Sequence, residues 1–252
     1  MNKPLIIIQA RTASVRLPNK MILNFYKGET IPEIIISNLK KKFKSSQIVI
    51  ATSTTLNDKI FEEIAKKTEV NCFRGPENDV LSRFIQCANF YNANTIVRIC
   101  ADNPFIQEDY IEPLLKELNH RNLDYVSYKM KDGTPVMLSH IGLFAEVMKL
   151  KFLKKIYSMT REHYYREHVT NYLYYNKDSF KHKFLKVPNF LYQARKIRLT
   201  VDTKEDFSLA QEIYEKIKMK TQDYHLEDLI ELIDENPVLK LRMKAQIKEN
   251  AK

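Results

Sequence analysis

The amino-acid sequence predicts an α/β fold, a doubly wound and mostly parallel sheet with a helical C-terminal appendage. Short β-branched runs alternate with amphipathic helical stretches through the first half, as in successive βα units. Between residues 31 and 43, and again between 80 and 91, apolar residues recur at helical spacing. Beyond residue 204 the pattern is helical and no flexible linker precedes it. We therefore expect a single domain over residues 1–252, with its C-terminal helices at 204–252.

The predicted elements of the first half follow one another closely. Runs rich in Ile and Val mark the strands, and Asp79 precedes the third helix as its N-cap. Ligands of such sheets bind beyond the carboxyl ends of the strands. We expect strands at 5–9, 47–51, 70–73, 95–99 and 125–128, and helices at 31–43, 58–67, 80–91 and 110–118.

From about residue 131 the pattern is less regular. We expect a strand at 136–141, a helix at 144–157, a helix-like aromatic and charged stretch at 161–175, and a strand at 196–201. Three C-terminal helices are predicted at 207–218, 226–234 and 238–248, where Asn236 and Pro237 separate the last two.

The composition excludes several classes of protein. Of the 252 residues, 44% are hydrophobic, which is enough for a folded core. No window approaches the roughly 20 apolar residues of a membrane span, and the N-terminus lacks the signal-peptide pattern, so we expect a cytoplasmic protein without membrane contact. The three widely spaced cysteines indicate reduced thiols. The net charge of +10 suits acidic partners, but no nucleic-acid-binding motif accompanies it, and we expect no nucleic-acid partner.

The segment after the first strand carries cationic and hydroxyl side chains. Arg11, Ser14, Arg16 and Lys20 follow the apolar run. Backbone amides and the Ser14 hydroxyl can bind oxyanions, while the three cations can neutralise a triphosphate. No P-loop pattern occurs, so a triphosphate here needs another geometry. A basic surface turn after an edge strand is the alternative that the spacing leaves open.

Two carboxylates each follow an apolar run. Asp102 comes after the strand predicted at 95–99, and Asp202 closes the run at 196–201. Mg²⁺ takes one or two protein carboxylates together with phosphate oxygens and waters. Either aspartate alone is explained as well by capping the segment that follows it. Their joint placement opposite a basic loop favours a magnesium site.

Three further side chains have two interpretations each. Arg166 and His168 lie in a tyrosine-rich run, where they could reach an acidic substrate. Alternatively, the aromatic residues pack in the core or at a dimer face and the charges are solvated, which the spacing alone favours. Arg74 follows the third strand and could face a base or a phosphate, or pair with Glu77 or Asp79.

Six segments, taken together and in order, resemble the cytidylyltransferase superfamily, which includes the acylneuraminate and 3-deoxy-manno-octulosonate cytidylyltransferases. The closest likeness is to the spore coat polysaccharide biosynthesis type, from Ile6 to about Pro237. The segments are IIQARTASVRLPNK, IVIATS, FRGPENDVLSRF, VRICADNPFI, REHVT and RLTVDTKED.

The resemblance implies a Rossmann-like nucleotidyltransferase fold, CTP as donor, Mg²⁺ as cofactor and a homodimer. The implied reaction transfers CMP to an acidic or phosphorylated small molecule and releases pyrophosphate, for surface polysaccharide or capsule synthesis. Residues 131–195 are expected to form the acceptor-binding and dimerisation part. By position, the implied catalytic residues are Arg11, Lys20 and Asp102; the nucleotide-binding residues are Ala10, Arg11, Ser14, Arg16, Lys20, Thr52, Ser53 and Arg74; the acceptor-binding residues are Arg166 and His168; and the metal ligands are Asp102 and Asp202.

The sequence departs from the family pattern at two places. Ala13 stands where relatives usually have Gly in the phosphate loop, and Pro135 and Met137 stand where an Asp and a Glu are usual. The second departure makes room for a more anionic acceptor. Two alternative functions are a nucleotide-sugar-dependent glycosyltransferase of related fold and a non-catalytic nucleotide-binding relative. The absence of a D-x-D motif disfavours the first, and the retained Lys20, Asp102 and Asp202 disfavour the second.

Overall fold

A computed structural model describes residues 3–250, apart from the side chains of residues 192–195. The last two positions of the expected C-terminal part, 251 and 252, lie outside the described residues. The strands form one sheet of seven, in the order β3-β2-β1-β4-β6-β5-β7. They are β1 (Leu5–Gln9), β2 (Ile48–Ser53), β3 (Asn71–Gly75), β4 (Thr95–Cys100), β5 (Tyr125–Lys129), β6 (Glu146–Lys149) and β7 (His182–Lys186).

Only β6 runs antiparallel to its neighbours in this sheet, where it pairs with β4 and β5. The predicted doubly wound, mostly parallel sheet is confirmed. The helices are α1 (Ile31–Lys40), α2 (Ile60–Lys67), α3 (Val80–Phe90), α4 (Ile111–His120), α5 (Leu150–Met159), α6 (His163–Glu167), α7 (Asn171–Tyr175), α8 (Lys204–Lys220), α9 (Leu226–Asp234) and α10 (Pro237–Glu249).

Helices cover both faces of the sheet because alternate strand residues point to opposite sides. Ile6 and Ile8 of β1 pack in one core with α1, α2, α4, α8 and α9. Ile7, between them, packs in a second core with α3 and α5. The predicted N-cap of α3 is confirmed, since the Ser82 amide donates to Asp79 Oδ1 at 2.8 Å. None of the described helices combines the length and apolarity that crossing a bilayer requires.

Several predictions for the second half were wrong. The segment predicted as a strand at 136–141 contains a 3-10 turn, Val136–Leu138, which follows Pro135. The helix predicted at 144–157 is the strand β6 followed by α5, because pairing with β4 overrides a run whose apolar spacing fits either structure. The strand β7 was not predicted, whereas the helix-like stretch at 161–175 does contain two short helices, α6 and α7.

The strand predicted at 196–201 is not part of the sheet. The residues after 196 are extended, and their amides bond to loops: Leu199 N donates to His140 O and Val201 N to Asp102 O, both at 2.9 Å. Gly142 adopts a φ of +61°, and a Cβ there would lie 3.0 Å from the Leu199 and Thr200 backbone. This close packing fixes the segment against the carboxyl end of β4, so Asp202 arrives where the predicted strand would have brought it.

Candidate active site

A cavity of about 840 Å³ opens at the carboxyl ends of β1 and β4. The chain passes from β1 outward through β2 and β3 and returns to β4 on the other side of β1, so the cavity lies at the switch point of the sheet. Eight of the predicted site residues line it: Ala10, Arg11, Ser14, Arg16, Lys20, Asp102, His168 and Asp202. Four do not: Thr52, Ser53, Arg74 and Arg166.

Lys20 lies between the two predicted metal ligands. Its Nζ is 3.5 Å from Asp102 Oδ2 and 3.6 Å from Asp202 Oδ1, and it donates to the Val201 carbonyl at 2.6 Å. Asn19, with a φ of 60°, turns the chain into the 3-10 turn that carries Lys20. Two carboxylates far downstream in the chain are thereby brought to one ammonium group. The cavity therefore contains a lysine placed between two carboxylates.

The Asp202 carboxylate is also held by two arginines. Arg16 NH2 lies 3.0 Å from its Oδ1, and Arg198 NH2 lies 3.2 Å from its Oδ2. Arg198 is buried and also pairs with Asp206, at 2.7 Å from Nε to Oδ1. Burial by itself raises the pKa of Asp206, but the hydrogen bonds and charge of Arg198 bring that pKa below its ordinary value. Asp202 is therefore held in place beside three cations, Lys20, Arg16 and Arg198.

The donor set fits a hard divalent cation that completes its coordination with substrate oxygens. Asp102 and Asp202 approach the same ammonium group, and carboxylate oxygens are the ligands that Mg²⁺ prefers. Within residues 3–250, no group of three or more His, Cys, Asp or Glu side chains is placed to hold a metal. A divalent ion at these two aspartates would therefore depend on phosphate oxygens and waters for its remaining ligands.

The residues proposed for the nucleoside lie behind the cavity wall. Asp58 accepts hydrogen bonds from the Thr12 amide and hydroxyl at 2.7 and 2.6 Å, and from the Ser53 amide and hydroxyl at 3.2 and 2.5 Å. Burial raises the pKa of Asp58, but these hydrogen bonds outweigh it and lower that pKa overall. Thr52 and Ser53 are both buried. Asp58, through Thr12 and Ser53, thus ties the loop after β1 to the loop after β2.

Arg74 also bonds to the protein itself. Its guanidinium donates to the carbonyls of Ser53 at 3.0 Å and Thr55 at 2.6 Å, and pairs with Glu62 at 3.2 Å. The alternative partners expected from the sequence, Glu77 and Asp79, are replaced by Glu62. Arg74 stabilises the loop after β2 and does not line the cavity.

Arg166 and His168 have different surroundings, and only His168 lines the cavity. The Arg166 guanidinium is buried, donates to the carbonyls of Tyr157 at 3.0 Å and Thr160 at 2.9 Å, and lies 3.4 Å from the Tyr157 ring centroid. It also pairs with Asp79 at 3.4 Å and does not line the cavity, so the structure does not bring it to the place where we expect the acceptor. His168 is exposed and lines the cavity beside Tyr164.

A charged cluster that sequence reasoning missed forms part of the cavity floor. Arg98 on β4 lies opposite Glu146 on β6 in the antiparallel register, and the two side chains form an ion pair. Glu146 is fully buried and accepts from the Tyr125 hydroxyl at 2.5 Å and the Tyr174 hydroxyl at 3.4 Å. Burial and the Glu146 charge raise the pKa of both tyrosines, so both remain donors. The sequence feature that could have pointed to this cluster is Arg98, an arginine inside an otherwise apolar strand.

One side of the cavity wall is mainly apolar. It comes from the 3-10 turn after Pro135 and the loop before β6, and Met137 belongs to it. The apolar residues of this wall are Val136, Met137, Leu138, Ile141, Leu143 and Phe144. The cavity therefore combines a cationic edge, a charged floor and one apolar side.

The family model for cytidylyltransferases matches residues 5–232. The chain belongs to the cytidylyltransferase family. It is a CTP-dependent nucleotidyltransferase, as the sequence resemblance implied. The position of this cavity, at the switch point of the sheet and beside the basic loop, is consistent with a nucleotide site.

The chain is similar over nearly its whole length to individual proteins. This cytidylyltransferase is 38% identical over 234 residues to the uncharacterized protein MJ1063 of Methanocaldococcus jannaschii, covering 93% of this chain and 91% of that one. It is 30% identical over 242 residues to the spore coat polysaccharide biosynthesis protein SpsF of Bacillus subtilis, covering 94% and 96%. A solved cytidylyltransferase structure from Leptospira borgpetersenii has a TM-score of 0.81 at 31% identity, covering 94% and 96%.

Proposed function

We propose that this cytidylyltransferase transfers CMP from CTP to an acidic or phosphorylated small-molecule acceptor, with release of pyrophosphate, in the synthesis of polysaccharide precursors. The observation that supports it is the placement of Lys20 between Asp102 and Asp202, opposite the loop that carries Arg11, Ser14 and Arg16. The spore coat function in the name of a relative supports the polysaccharide assignment.

The reaction forms a bond between an acceptor oxygen and the α-phosphorus and breaks the bond from that phosphorus to the bridging oxygen of the β-phosphate. A carboxylate or phosphate acceptor arrives ionised, so it needs no strong base. Arg11, Ser14, Arg16 and Lys20 bind the triphosphate and stabilise charge as it moves to pyrophosphate. Catalysis then depends on positioning and electrostatics, without a covalent enzyme intermediate.

Asp102 and Asp202 are the residues that would hold the metal. Members of the family generally use a divalent metal ion, and we propose Mg²⁺ because both protein ligands are carboxylates. When bound, the ion neutralises phosphate charge in the transition state. Lys20 positions both carboxylates, and Arg16 and Arg198 also position Asp202.

The acceptor is proposed to occupy the part of the cavity between the sheet and α6–α7, next to His168 and the apolar wall. Ser53 and Arg74 are proposed to act on the nucleoside through the loops that they hold in place, and Thr52 from its buried position on β2. Homodimerisation is proposed through the tyrosine-rich segment, where Tyr164 and Tyr175 are 46% and 71% exposed.

The test measures pyrophosphate release by the full chain with CTP, UTP, ATP or GTP and Mg²⁺, against pools of acidic sugars, sugar phosphates and phosphorylated metabolites. We expect release with CTP and an anionic pool. Release with a different nucleotide, release with neutral sugars alone, or no release with any donor would contradict the proposal.

A further inference from the structure

The floor of the cavity contains a buried arginine that the proposed chemistry has not yet used. Arg98 is 8% exposed and lines the cavity. It lies two residues before the end of β4, which is about 7 Å deeper than the strand end at the rise of a parallel strand. Asp102 lies beyond that end. Arg98 is therefore displaced from the triphosphate residues toward the interior.

Burying a guanidinium inside a sheet is costly unless it is paired, and a buried ion pair contributes little net stability compared with packed apolar residues. Four arginines are buried among the residues that the structure describes: Arg83, Arg98, Arg166 and Arg198. Of these, only Arg98 lines the cavity. Arg83 donates to backbone carbonyls, and Arg166 donates to backbone carbonyls and pairs with Asp79. The position of Arg98 suits a role toward a bound molecule.

The contacts of Arg98 divide its guanidinium into two sides. NH1 donates to Glu146, which the hydroxyls of Tyr125 and Tyr174 hold in place. Nε and NH2 both donate to one neutral oxygen, Gln9 Oε1, at 3.3 and 3.1 Å. Nε and NH2 are the pair of donors that bind a carboxylate or phosphate through two parallel hydrogen bonds. The Gln9 amide oxygen therefore marks where an oxygen of an anionic ligand would lie.

We propose that Arg98 binds the acidic group of the acceptor, a carboxylate or a phosphate, and that Glu146 is the positioning residue that orients its guanidinium. This inference rests on the proposed function. The anion replaces the Gln9 amide oxygen at Nε and NH2, while the contact from NH1 to Glu146 keeps the guanidinium fixed. Arg98 thus takes the acceptor role that the sequence had suggested for Arg166.

The test is ligand-observed NMR on the full chain, with CTP present and divalent metal removed by a chelator. CTP then occupies the residues proposed to bind its triphosphate, and CMP is not transferred. One arm compares N-acetylneuraminate with its methyl ester, and the other compares glucose 6-phosphate with glucose. We expect the acid to bind more tightly than its neutral counterpart in at least one arm, which also identifies the acidic group as carboxylate or phosphate.

The variant for this test is the double change Arg98→Gln and Glu146→Gln, which removes the ion pair without leaving an unpaired buried charge. We expect it to bind the preferred acid roughly ten- to a hundredfold more weakly, as for loss of a charged hydrogen-bonded pair. Arg98→Lys alone keeps the charge but loses the two parallel donors. It should bind the acid more tightly than the double variant and less tightly than the wild type. Arg83→Gln, another buried arginine but outside the cavity, is the matched control.

Equal binding of acid and neutral forms by the wild type overturns the inference, and so does the absence of acid binding at tens of millimolar. Unchanged acid binding by a folded double variant also overturns it. Failure of the proposed function has a different signature, since CTP then fails to bind or to release pyrophosphate whatever residue stands at position 98.

Discussion

Arg11 and Glu167 form an ion pair across the mouth of the cavity, with 2.9 Å between NH2 and Oε1, although 156 positions separate them in the chain. The pair joins the loop after β1 to the last residue of α6. Both side chains line the cavity and are partly exposed, at 41% and 31%, so water screens the pair. In the proposed function Glu167 competes with the triphosphate for Arg11.

We therefore expect Glu167→Gln to strengthen CTP binding about two- to fivefold, since an exposed pair is worth up to about 1 kcal/mol. Isothermal titration calorimetry at low and high salt measures this, and the gain should shrink at high salt. Glu162→Gln removes the same charge from an exposed position outside the cavity and serves as control. Equal gains in both variants would show a general charge effect and no competition at Arg11.

The position of Lys20 leads to a prediction about which phosphates it binds. Lys20→Ala should weaken CTP binding roughly ten- to a hundredfold, the value for a lost charged hydrogen bond, and should weaken CMP binding much less. The same calorimetric titration with each nucleotide provides the comparison. Lys66→Ala, an exposed position on α2, is the control. If affinity for CTP and CMP falls by the same factor, Lys20 does not hold the β- and γ-phosphates.

The proposed metal site predicts that Asp102→Asn lowers turnover by about two to three orders of magnitude, comparable with loss of another preorganised electrostatic group. The fold should persist, because the Asp102 side chain is 32% exposed and its ion pair with Lys20 is 3.5 Å long. Pyrophosphate release over a range of Mg²⁺ and Mn²⁺ concentrations, with a thermal melt, measures both effects. Asp178→Asn, on the surface, should change neither. Wild-type turnover in Asp102→Asn would exclude this carboxylate from the metal site.

The sequence predicted the first half of the fold because its strands are isolated apolar runs and its helices have clear apolar spacing. The sequence-based prediction failed at β6, because the run around Glu146 fits a helix as well as a strand. Only its pairing with β4 determines that it is a strand. The same pairing places Glu146 opposite Arg98, so the charged floor could not be predicted without it. The basic loop and the two carboxylates were accessible to sequence reasoning because each follows an apolar run, although the run before Asp202 is not a strand of the sheet.

Ser53, Arg74 and Asp58, which lie behind the cavity wall, show a second reason why the site could not be predicted fully from the sequence. Ser53 and Arg74 have the right residue types and positions for a nucleotide site, yet their side chains bond to the protein. Asp58, which joins the two loops, stands in a polar stretch without any pattern that marks it. Whether a polar side chain faces a cavity or a neighbouring loop depends on tertiary contacts, which spacing along one chain does not contain.

Asp58 provides the last prediction, which concerns stability and pH. Asp58→Asn removes an ionised acceptor of four hydrogen bonds, and we expect a loss of about 2 kcal/mol or more in unfolding free energy at neutral pH. The folded protein has a lowered pKa for Asp58, so its contribution is complete above the ordinary aspartate pKa of about 4. As the pH falls through the lowered pKa, that contribution disappears. Urea unfolding of wild type and variant, at neutral pH and in steps below about pH 4, measures the difference.

The difference in unfolding free energy between the wild type and Asp58→Asn should be largest at neutral pH. It should shrink at acidic pH, because the protonated Asp58 carboxyl and the amide of the variant are then both uncharged. Asp178→Asn should show no such pH dependence, since Asp178 is exposed. CTP binding should weaken in Asp58→Asn at neutral pH, because Asp58 holds the Thr12 amide within the loop that carries Arg11 and Ser14. A difference that stays constant from neutral to acidic pH would mean that Asp58 stabilises the loops by its shape and not by its charge.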